Sequence, residues 1–185
     1  MMIPALRAAV DGRAYDWAGP GDLLVARPGR VDPAFERALI LLTELSAERV
    51  EGLILNHPVL GAGEGAPGSE ALGPLRRGGP VGAQRRVLFD PRELSLAGAT
   101  PITARLALIA CGPPAGLPDC EAQLAGYTGP RLHLVGAAVW GRDQLAQETR
   151  RGSWMTQPWE HAQAPLDLPP WGELVAARLR EAYGL

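Results

Sequence analysis

The chain has 185 residues, of which 46% are hydrophobic and 21% charged, and its formal net charge is −2. This composition is typical of one globular domain and excludes an intrinsically disordered chain. The mild acidity also makes direct nucleic-acid binding an unfavoured function, because duplex binders displace counterions with a large excess of basic side chains. Lysine is absent, which excludes a Schiff-base lysine and a P-loop lysine.

No stretch approaches the roughly 18 apolar residues of a membrane span, and the first ten residues lack the apolar core of a secretory signal. The expected location is therefore the cytoplasm, without membrane contact. Cys111 and Cys120 match no redox or zinc spacing. In a reducing compartment we expect both to be buried, inert thiols.

Residues 1–18 are predicted to be an N-terminal extension, followed by a single domain over residues 19–185. The apolar run 22–26 predicts a buried strand. Asp32 followed by Pro33 predicts a capped helical turn through Phe35.

The apolar runs 38–42 and 52–55 are separated by a short polar stretch. They predict an antiparallel hairpin in the middle of the sheet. Residues 59–74 are rich in glycine and proline and predict a loop.

The second half alternates strand and helix patterns. Strands are predicted at 86–89, 106–110 and 132–139, and helices near 118–126, at 143–151 and at 171–182. This interleaving predicts an α/β domain with a mixed sheet and helices on both faces.

Several possible catalytic motifs lack their structural context. Residues 63–68 match GxGxxG, but Pro67 interrupts the pattern, so a dinucleotide site is not expected. The histidines have no metal-ligand spacing, and no serine lies in a GxSxG elbow. We therefore predict no metal, no cofactor and no catalytic triad.

Two arginine pairs, Arg76–Arg77 and Arg85–Arg86, flank a Gly-Gly-Pro-Val-Gly turn. They could bind an anion. The favoured interpretation is a solvated hairpin whose arginines meet surface carboxylates.

The helix at 143–151 carries Gln144 and Glu148 four residues apart, on one face. They could line the rim of a cleft or form only a surface hydrogen bond. Trp140 and Trp154 bracket this helix and are interpreted as packing anchors.

Several of these segments together resemble the YqgE/AlgH family of bacterial proteins, over about residues 19–160. The opening motifs are Gly21-x-Leu23-Leu24-x-Ala26-x-Pro28, Asp32-x-x-Phe35-x-Arg37 and Gly52-Leu53-Ile54-Leu55-Asn56-x-Pro58, and the later ones are Gly78-Gly79-Pro80-Val81 and Gly136-x-x-x-Trp140-x-x-x-Gln144-Leu145-x-x-Glu148-x-x-x-Gly152-x-Trp154. The resemblance implies a mixed, strongly bent sheet between helices. It implies no catalytic residues and no cofactor, and some members are labelled transcriptional regulators. The chain departs from the family at Leu45, Phe89 and Ala137, so a role for the histidines or tyrosine often found there is not shared.

The favoured function is a non-enzymatic binding or regulatory module that holds a small molecule or a protein partner in a cleft near the strand ends. Polar residues at element ends are the candidate lining: Asp32, Arg37, Asn56, Gly79, Gln144 and Glu148. The alternative is a metal-independent hydrolase or transferase that uses Asp32 or Glu148 as general base.

Overall fold

Nine strands form one sheet in the computed structural model, which describes residues 18–59, 75–112, 120–158 and 170–183. The strands are β1 (Asp22–Ala26), β2 (Leu39–Leu45), β3 (Arg49–Ile54), β4 (Leu75–Arg77), β5 (Val81–Phe89), β6 (Thr100–Thr103), β7 (Leu106–Cys111), β8 (Arg131–Gly141) and β9 (Trp154–Pro158). A 3-10 turn spans Pro33–Phe35, and the helices are α1 (Cys120–Gln123), α2 (Arg142–Arg150) and α3 (Trp171–Tyr183).

The order across the sheet is β6-β7-β5-β8-β3-β2-β1-β9, and β4 pairs with β8 off this path. The predicted central hairpin is confirmed, because β2 and β3 pair antiparallel with Leu41 opposite Leu53. β8, β3, β2 and β1 are interior neighbours, as the sequence interpretation required. Only the β4–β8 pair is parallel among the described strands, so the sheet is mixed but mainly antiparallel.

The sheet curls until its two ends share one core. Leu23 of β1 and Leu106 of β7 belong to the same buried cluster, although their strands are far apart in the sheet order. Ile102 of β6 packs on that cluster too, and a Cβ on Gly21 would lie 2.4 Å from the Thr103 side chain. We name this concave side the inner face, and the opposite side the outer face.

The residues of β8 that face inward change at Gly136, opposite the point where the register between β5 and β8 shifts. Leu132 and Leu134 lie in the inner cluster, and so do Ala137 and Val139, so the alternation slips by one residue. Gly136 has φ +75°, a left-handed conformation that glycine adopts without strain. The slip keeps both halves of this 11-residue strand apolar toward the same core.

The helices cover restricted parts of the sheet. Leu145 and Ala146 of α2 pack with Leu24 on the outer face, while Leu174 and Val175 of α3 pack with Val25, whose side chain points to the opposite side of β1. The described part of the chain is mostly strand, so the predicted α/β architecture with helices flanking both faces is not confirmed. The interleaved pattern was misleading because β6 and β7, in addition to the predicted β2–β3 hairpin, are joined as a hairpin rather than by a crossover helix.

Four strands or parts of strands were not predicted from the sequence. These are β4, β6, β9 and the first half of β5, which was interpreted as part of an exposed turn. All are short, interrupted by Pro or Gly, or polar, so hydrophobic periodicity is weak there.

Two further predictions concern the N-terminal extension and the cysteine thiols. Ala18, assigned to the extension, is buried in the outer-face core, while residues 1–17 and 60–74 lie outside the described residues. Cys111 is disulfide-bonded, so the prediction of an inert thiol is wrong for this residue. The nine-residue separation from Cys120 gave no sign of it, because pairing depends on how the chain folds back.

Candidate functional site

The segment 32–37, which we name the Arg37 turn, organises the candidate site. Asp32 accepts a 2.9 Å hydrogen bond from the Ala34 amide, and Pro33 occupies the first helical position. This is the capping predicted from the sequence. The turn directs Phe35 toward the protein and leaves Asp32 and Arg37 exposed.

Phe35 packs on two tryptophans that precede and follow α2. Its ring is stacked on Trp140 with centroids 5.9 Å apart and meets Trp154 edge-on at 5.7 Å. The two indoles also meet edge-on at 5.9 Å. Both tryptophans are buried, which confirms their interpretation as packing anchors.

Glu148 binds this aromatic cluster through its carboxylate. Its Oε2 accepts hydrogen bonds from Nε1 of Trp154 at 2.8 Å and Nε1 of Trp140 at 3.2 Å. Its Oε1 accepts from the Gln144 amide at 2.9 Å. Both oxygens are therefore occupied by donors that hold the cluster together, and Gln144 and Glu148 do share a helix face.

Asn56 fixes the backbone around Arg37. Its side-chain oxygen accepts from the Leu39 amide at 2.8 Å, and its amide nitrogen donates to the Arg37 carbonyl at 2.7 Å. The neighbouring His57 ring lies 3.0 Å from the Glu36 carbonyl through Nε2. Arg37 itself has φ +57°, in the left-handed region that non-glycine residues rarely adopt.

The Arg37 guanidinium lies over the ring of Trp171, 5.9 Å from its centroid. Trp171 begins α3 and donates its indole N–H to the Ala26 carbonyl at 2.9 Å. The indole therefore has a fixed position, and it supports an exposed cation at the end of β1.

Gly79 has a different role from the other candidates. A Cβ there would lie 2.0 Å from the Ala137 carbonyl carbon. The adjacent Gly78 accepts from the Ile54 amide and donates to Val135, each at 2.7 Å, so it joins β3 to β8 where those strands separate. Five of the six candidate residues thus belong to one connected assembly around the Arg37 turn, while Gly79 forms a backbone crossing.

Comparison with known proteins agrees with this architecture. A sequence model described as AlgH-like matches residues 23–177. The chain belongs to the AlgH-like family. Within it, a UPF0301 protein of Paracoccus denitrificans is 32% identical over 152 residues, covering 74% of this chain and 76% of the relative. A UPF0301 protein of Anaeromyxobacter dehalogenans is 32% identical over 192 aligned residues, covering 88% and 95%.

Solved structures show the same fold. The solution structure of AlgH from Pseudomonas aeruginosa matches with a TM-score of 0.64 at 26% identity, covering 95% of this chain and 93% of that one. A crystal structure of a Corynebacterium diphtheriae protein matches with a TM-score of 0.63 at 21% identity, covering 85% of each chain. The resemblance seen in the sequence is therefore confirmed, together with a single curled sheet as the AlgH-like fold.

One polar contact of this AlgH-like chain was missed by sequence analysis. Glu51 and Arg86 form an ion pair at 3.1 Å on the inner face, with side chains only 12% and 16% exposed. Arg86 also donates to the Gly136 carbonyl at 3.3 Å. Nothing in the local sequence indicated this pair, because the partners are brought together by β8, which lies between their strands.

Two histidines have pKa values shifted by their surroundings. Burial lowers the pKa of His57, and the nearby Arg77 lowers it further, although the Glu36 carbonyl opposes the shift. Burial also lowers the pKa of His133 to about 4, with additional repulsion from Arg131 and Arg85. Both rings are therefore neutral at pH 7.

The described residues contain no group of three or more His, Cys, Asp or Glu placed to hold a metal ion. None of their helices is long and apolar enough to cross a bilayer.

Proposed function

We propose that this AlgH-like protein is a non-enzymatic, cytoplasmic binding or regulatory module whose Arg37 turn recognises an anionic group. The ligand is a small molecule or a protein segment bearing a carboxylate or phosphate. The observation that carries the proposal is the exposed Arg37 guanidinium, presented from a left-handed backbone that Asn56 holds in place.

The backbone conformation supports a functional role for this position. A left-handed residue other than glycine costs roughly 1 kcal/mol, and such outliers concentrate at binding sites. Asn56 and His57 contact residues 36, 37 and 39 of the chain. These contacts pre-organise the guanidinium, which reduces the entropy lost when a ligand binds.

Two neighbouring groups add chemistry to the turn. Trp171 offers an aromatic surface below the guanidinium. Asp32 uses Oδ1 for its cap, so its second oxygen can accept from a hydroxyl or amine of a ligand. A guanidinium, an aromatic ring and a carboxylate together suit an anion that also carries a donor group.

The contacts of Glu148 do not favour the enzymatic alternative. A general base needs a lone pair directed at the substrate proton. The Glu148 carboxylate instead accepts three hydrogen bonds from neighbouring side chains. Asp32 is exposed and caps its own turn through Oδ1, whereas a general base lies in a cleft beside the substrate proton.

A thermal-shift screen against carboxylate- and phosphate-bearing metabolites, followed by calorimetry, tests the proposal. A ligand at 100 times its Kd should add about 2.7 kcal/mol to the free energy of unfolding. We expect Arg37→Gln to weaken the best hit at least tenfold, and Arg150→Gln, an exposed arginine on α2, to leave it unchanged. Trp171→Leu removes the ring under Arg37 and should weaken binding less than Arg37→Gln.

Equal affinity for wild type and Arg37→Gln would refute the assignment of this turn. Saturable, salt-sensitive binding of duplex DNA in a gel-shift assay would show that the protein contacts DNA directly. That result would contradict a regulatory role without direct DNA binding. In that case, the arginines of β4, β5 and β8 would be the first surface to examine.

A further inference from the structure

Basic side chains are concentrated on four adjoining strands. β4, β8, β5 and β7 contain five arginines and one histidine but no aspartate or glutamate. The whole chain has 20 acidic and 18 basic residues other than histidine. The four strands therefore carry a local positive charge that the overall composition hides.

The inner-face arginines of these strands already have partners. Arg86 pairs with Glu51, and Arg76 donates to the Leu55 carbonyl at 2.6 Å. Both arginines are opposite Leu134 of the inner core in the strand register. Among the described residues, only Arg86 of the four arginines meets a carboxylate, and that pair is largely buried, so the predicted solvated hairpin with surface ion pairs is not confirmed.

Arg77 and Arg85 lie on the other side of the same strands. Both are in register with Val135, Arg77 from β4 and Arg85 from β5. Both are exposed, and neither forms an ion pair with a carboxylate among the described residues. Sheet spacing of about 4.8 Å sets their Cβ atoms about 10 Å apart, so both guanidinium groups can reach one anion above Val135.

His133 lies one row further along the same outer face. It is in register with Leu75 of β4 and Val87 of β5, two residues before Val135 on β8. Its Nε2 is buried and has no hydrogen-bond partner. This nitrogen is closed to solvent, so His133 can respond to a charge bound above Val135 but offers no exposed atom to a ligand.

We propose that Arg77 and Arg85, on either side of Val135 and with His133 in the next row, form a second binding site for the phosphate group of a phosphorylated small molecule. Two guanidinium groups that reach one point from opposite sides suit a tetrahedral oxyanion. A planar carboxylate is satisfied by a single arginine fork. The strand register alone places these residues side by side, and the proposed contacts to phosphate involve no metal ion.

The charged groups around His133 determine how binding responds to pH. Arg131 of β8 and Arg85 of β5 act on it, and β7 contributes no charged side chain. Arg131 of β8 is held on Tyr127, donating to its carbonyl and lying 5.7 Å from its ring centroid. A bound phosphate offsets this positive charge, so it should raise the pKa of His133 and bind more tightly as pH falls toward that pKa.

The test titrates the full chain with pyrophosphate. Binding is measured by calorimetry and by the NMR resonances of the His133 imidazole. We expect saturable binding, a perturbed His133 resonance and a raised His133 pKa. The double variant Arg77→Gln/Arg85→Gln should lose at least tenfold in affinity. The control Arg30→Gln/Arg142→Gln removes the same charge from exposed positions elsewhere and should change affinity less than twofold.

Three results would overturn the proposal. They are no saturation up to about 10 mM pyrophosphate, an equal loss in the control variant, or an unmoved His133 resonance at saturation.

A parallel experiment with duplex DNA separates the sources of phosphate. If DNA binds and depends on Arg77 and Arg85 while pyrophosphate does not bind, the surface recognises a nucleic-acid backbone and the small-molecule proposal is wrong. Neither arm depends on Arg37, so this result and that of the Arg37 screen are independent.

Discussion

The indole N–H of Trp154 donates a 2.8 Å hydrogen bond to the carboxylate of Glu148, six residues earlier in the chain. Trp140 donates to the same oxygen from the strand that precedes α2. One carboxylate therefore joins the end of β8, the helix α2 and the start of β9. Phe35 of the Arg37 turn rests on both indoles, so the candidate site depends on this junction.

Replacing Glu148 should measure the strength of that junction. We expect Glu148→Ala to lower the free energy of unfolding by about 2–4 kcal/mol, because two buried indole N–H groups lose their acceptor. Glu148→Gln keeps one acceptor oxygen and should cost about 1–2 kcal/mol. Urea unfolding followed by tryptophan fluorescence measures both. The exposed Gln144→Ala should cost less than about 0.5 kcal/mol, and equal losses for Gln144 and Glu148 would contradict this account.

Asn56 should stabilise the Arg37 turn through its two opposite hydrogen bonds. Asn56→Asp keeps the acceptor for Leu39 but replaces the donor to the Arg37 carbonyl with a second oxygen. We expect a loss of about 1–3 kcal/mol in urea unfolding, since that carbonyl then faces a carboxylate. Asp32→Ala, which removes only a cap, should cost about 1 kcal/mol. A fully stable Asn56→Asp variant would show that the turn does not need this clamp.

Gly79 should tolerate no side chain. Its Cβ would lie 2.0 Å from a backbone carbon of Ala137, and neither chain can move without breaking the sheet. We expect Gly79→Ala to cost more than about 3 kcal/mol or to prevent folding. Gly82→Ala is the matched control, because that glycine has φ +72° but open space around it. It should cost about 1 kcal/mol of backbone strain, and a similar loss at both positions would exclude the backbone crossing as the cause.

The Glu51–Arg86 pair should behave as a buried pair, unlike the ion pair at the surface between Arg49 and Glu44. Arg86→Gln leaves Glu51 as an incompletely compensated charge inside the curled sheet, so we expect a loss of about 2–4 kcal/mol. Arg49 also lies 3.8 Å from Glu51, so the control is Glu44→Gln, which removes only the exposed partner of Arg49 and should cost little. Chemical unfolding of the two variants in parallel provides the comparison. Equal, small losses would show that solvent screens the Arg86 pair as well.

The lowered pKa of His133 predicts a specific loss of stability in acid. Its pKa is about 4 in the folded chain against 6.5 for a free imidazole. Between those values the unfolded state binds more protons, so stability rises with pH and falls as pH drops from 6.5 toward 4. This group contributes a slope of at most about 1.4 kcal/mol per pH unit.

Comparison with His133→Gln isolates that contribution from the carboxylates, which titrate in both proteins. We expect the wild type to lose stability faster than the variant between pH 6.5 and pH 4, measured by urea unfolding. Parallel stability curves over this interval would show that His133 titrates normally. Direct NMR titration of the ring provides an independent value.

Local sequence patterns were reliable where one residue and its neighbours determine the outcome. Asp32 and Pro33 predicted the capped turn, and the apolar runs predicted β1, the β2–β3 hairpin, β7 and β8. The helical pattern from Trp171 predicted α3, and Gly152, with φ +80°, follows α2 as predicted. These signals are short in range, because caps, helix ends and hydrophobic periods depend on adjacent residues.

The candidate residues were identified more completely than their relationships. Sequence analysis placed Arg37, Asn56, Gln144 and Glu148 at element ends, where polar groups can meet. It did not show that Asn56 clamps Arg37, or that the partners of Glu148 are the two tryptophans. Those contacts join residues up to 19 positions apart, across the register of separate strands.

The amino-acid sequence by itself determined the family, the main strands, the capped turn and the local helices. Only the tertiary structure decided that the sheet curls on itself, that Gly136 shifts the alternation of β8, and that Arg76 and Arg86 face inward while Arg77 and Arg85 face outward. The reason is that a side chain's face depends on strand register, and a single bulge reverses it for every residue beyond. Local composition does not indicate which strands become neighbours. Charge partners such as Glu51 and Arg86 can therefore be identified only from the folded sheet.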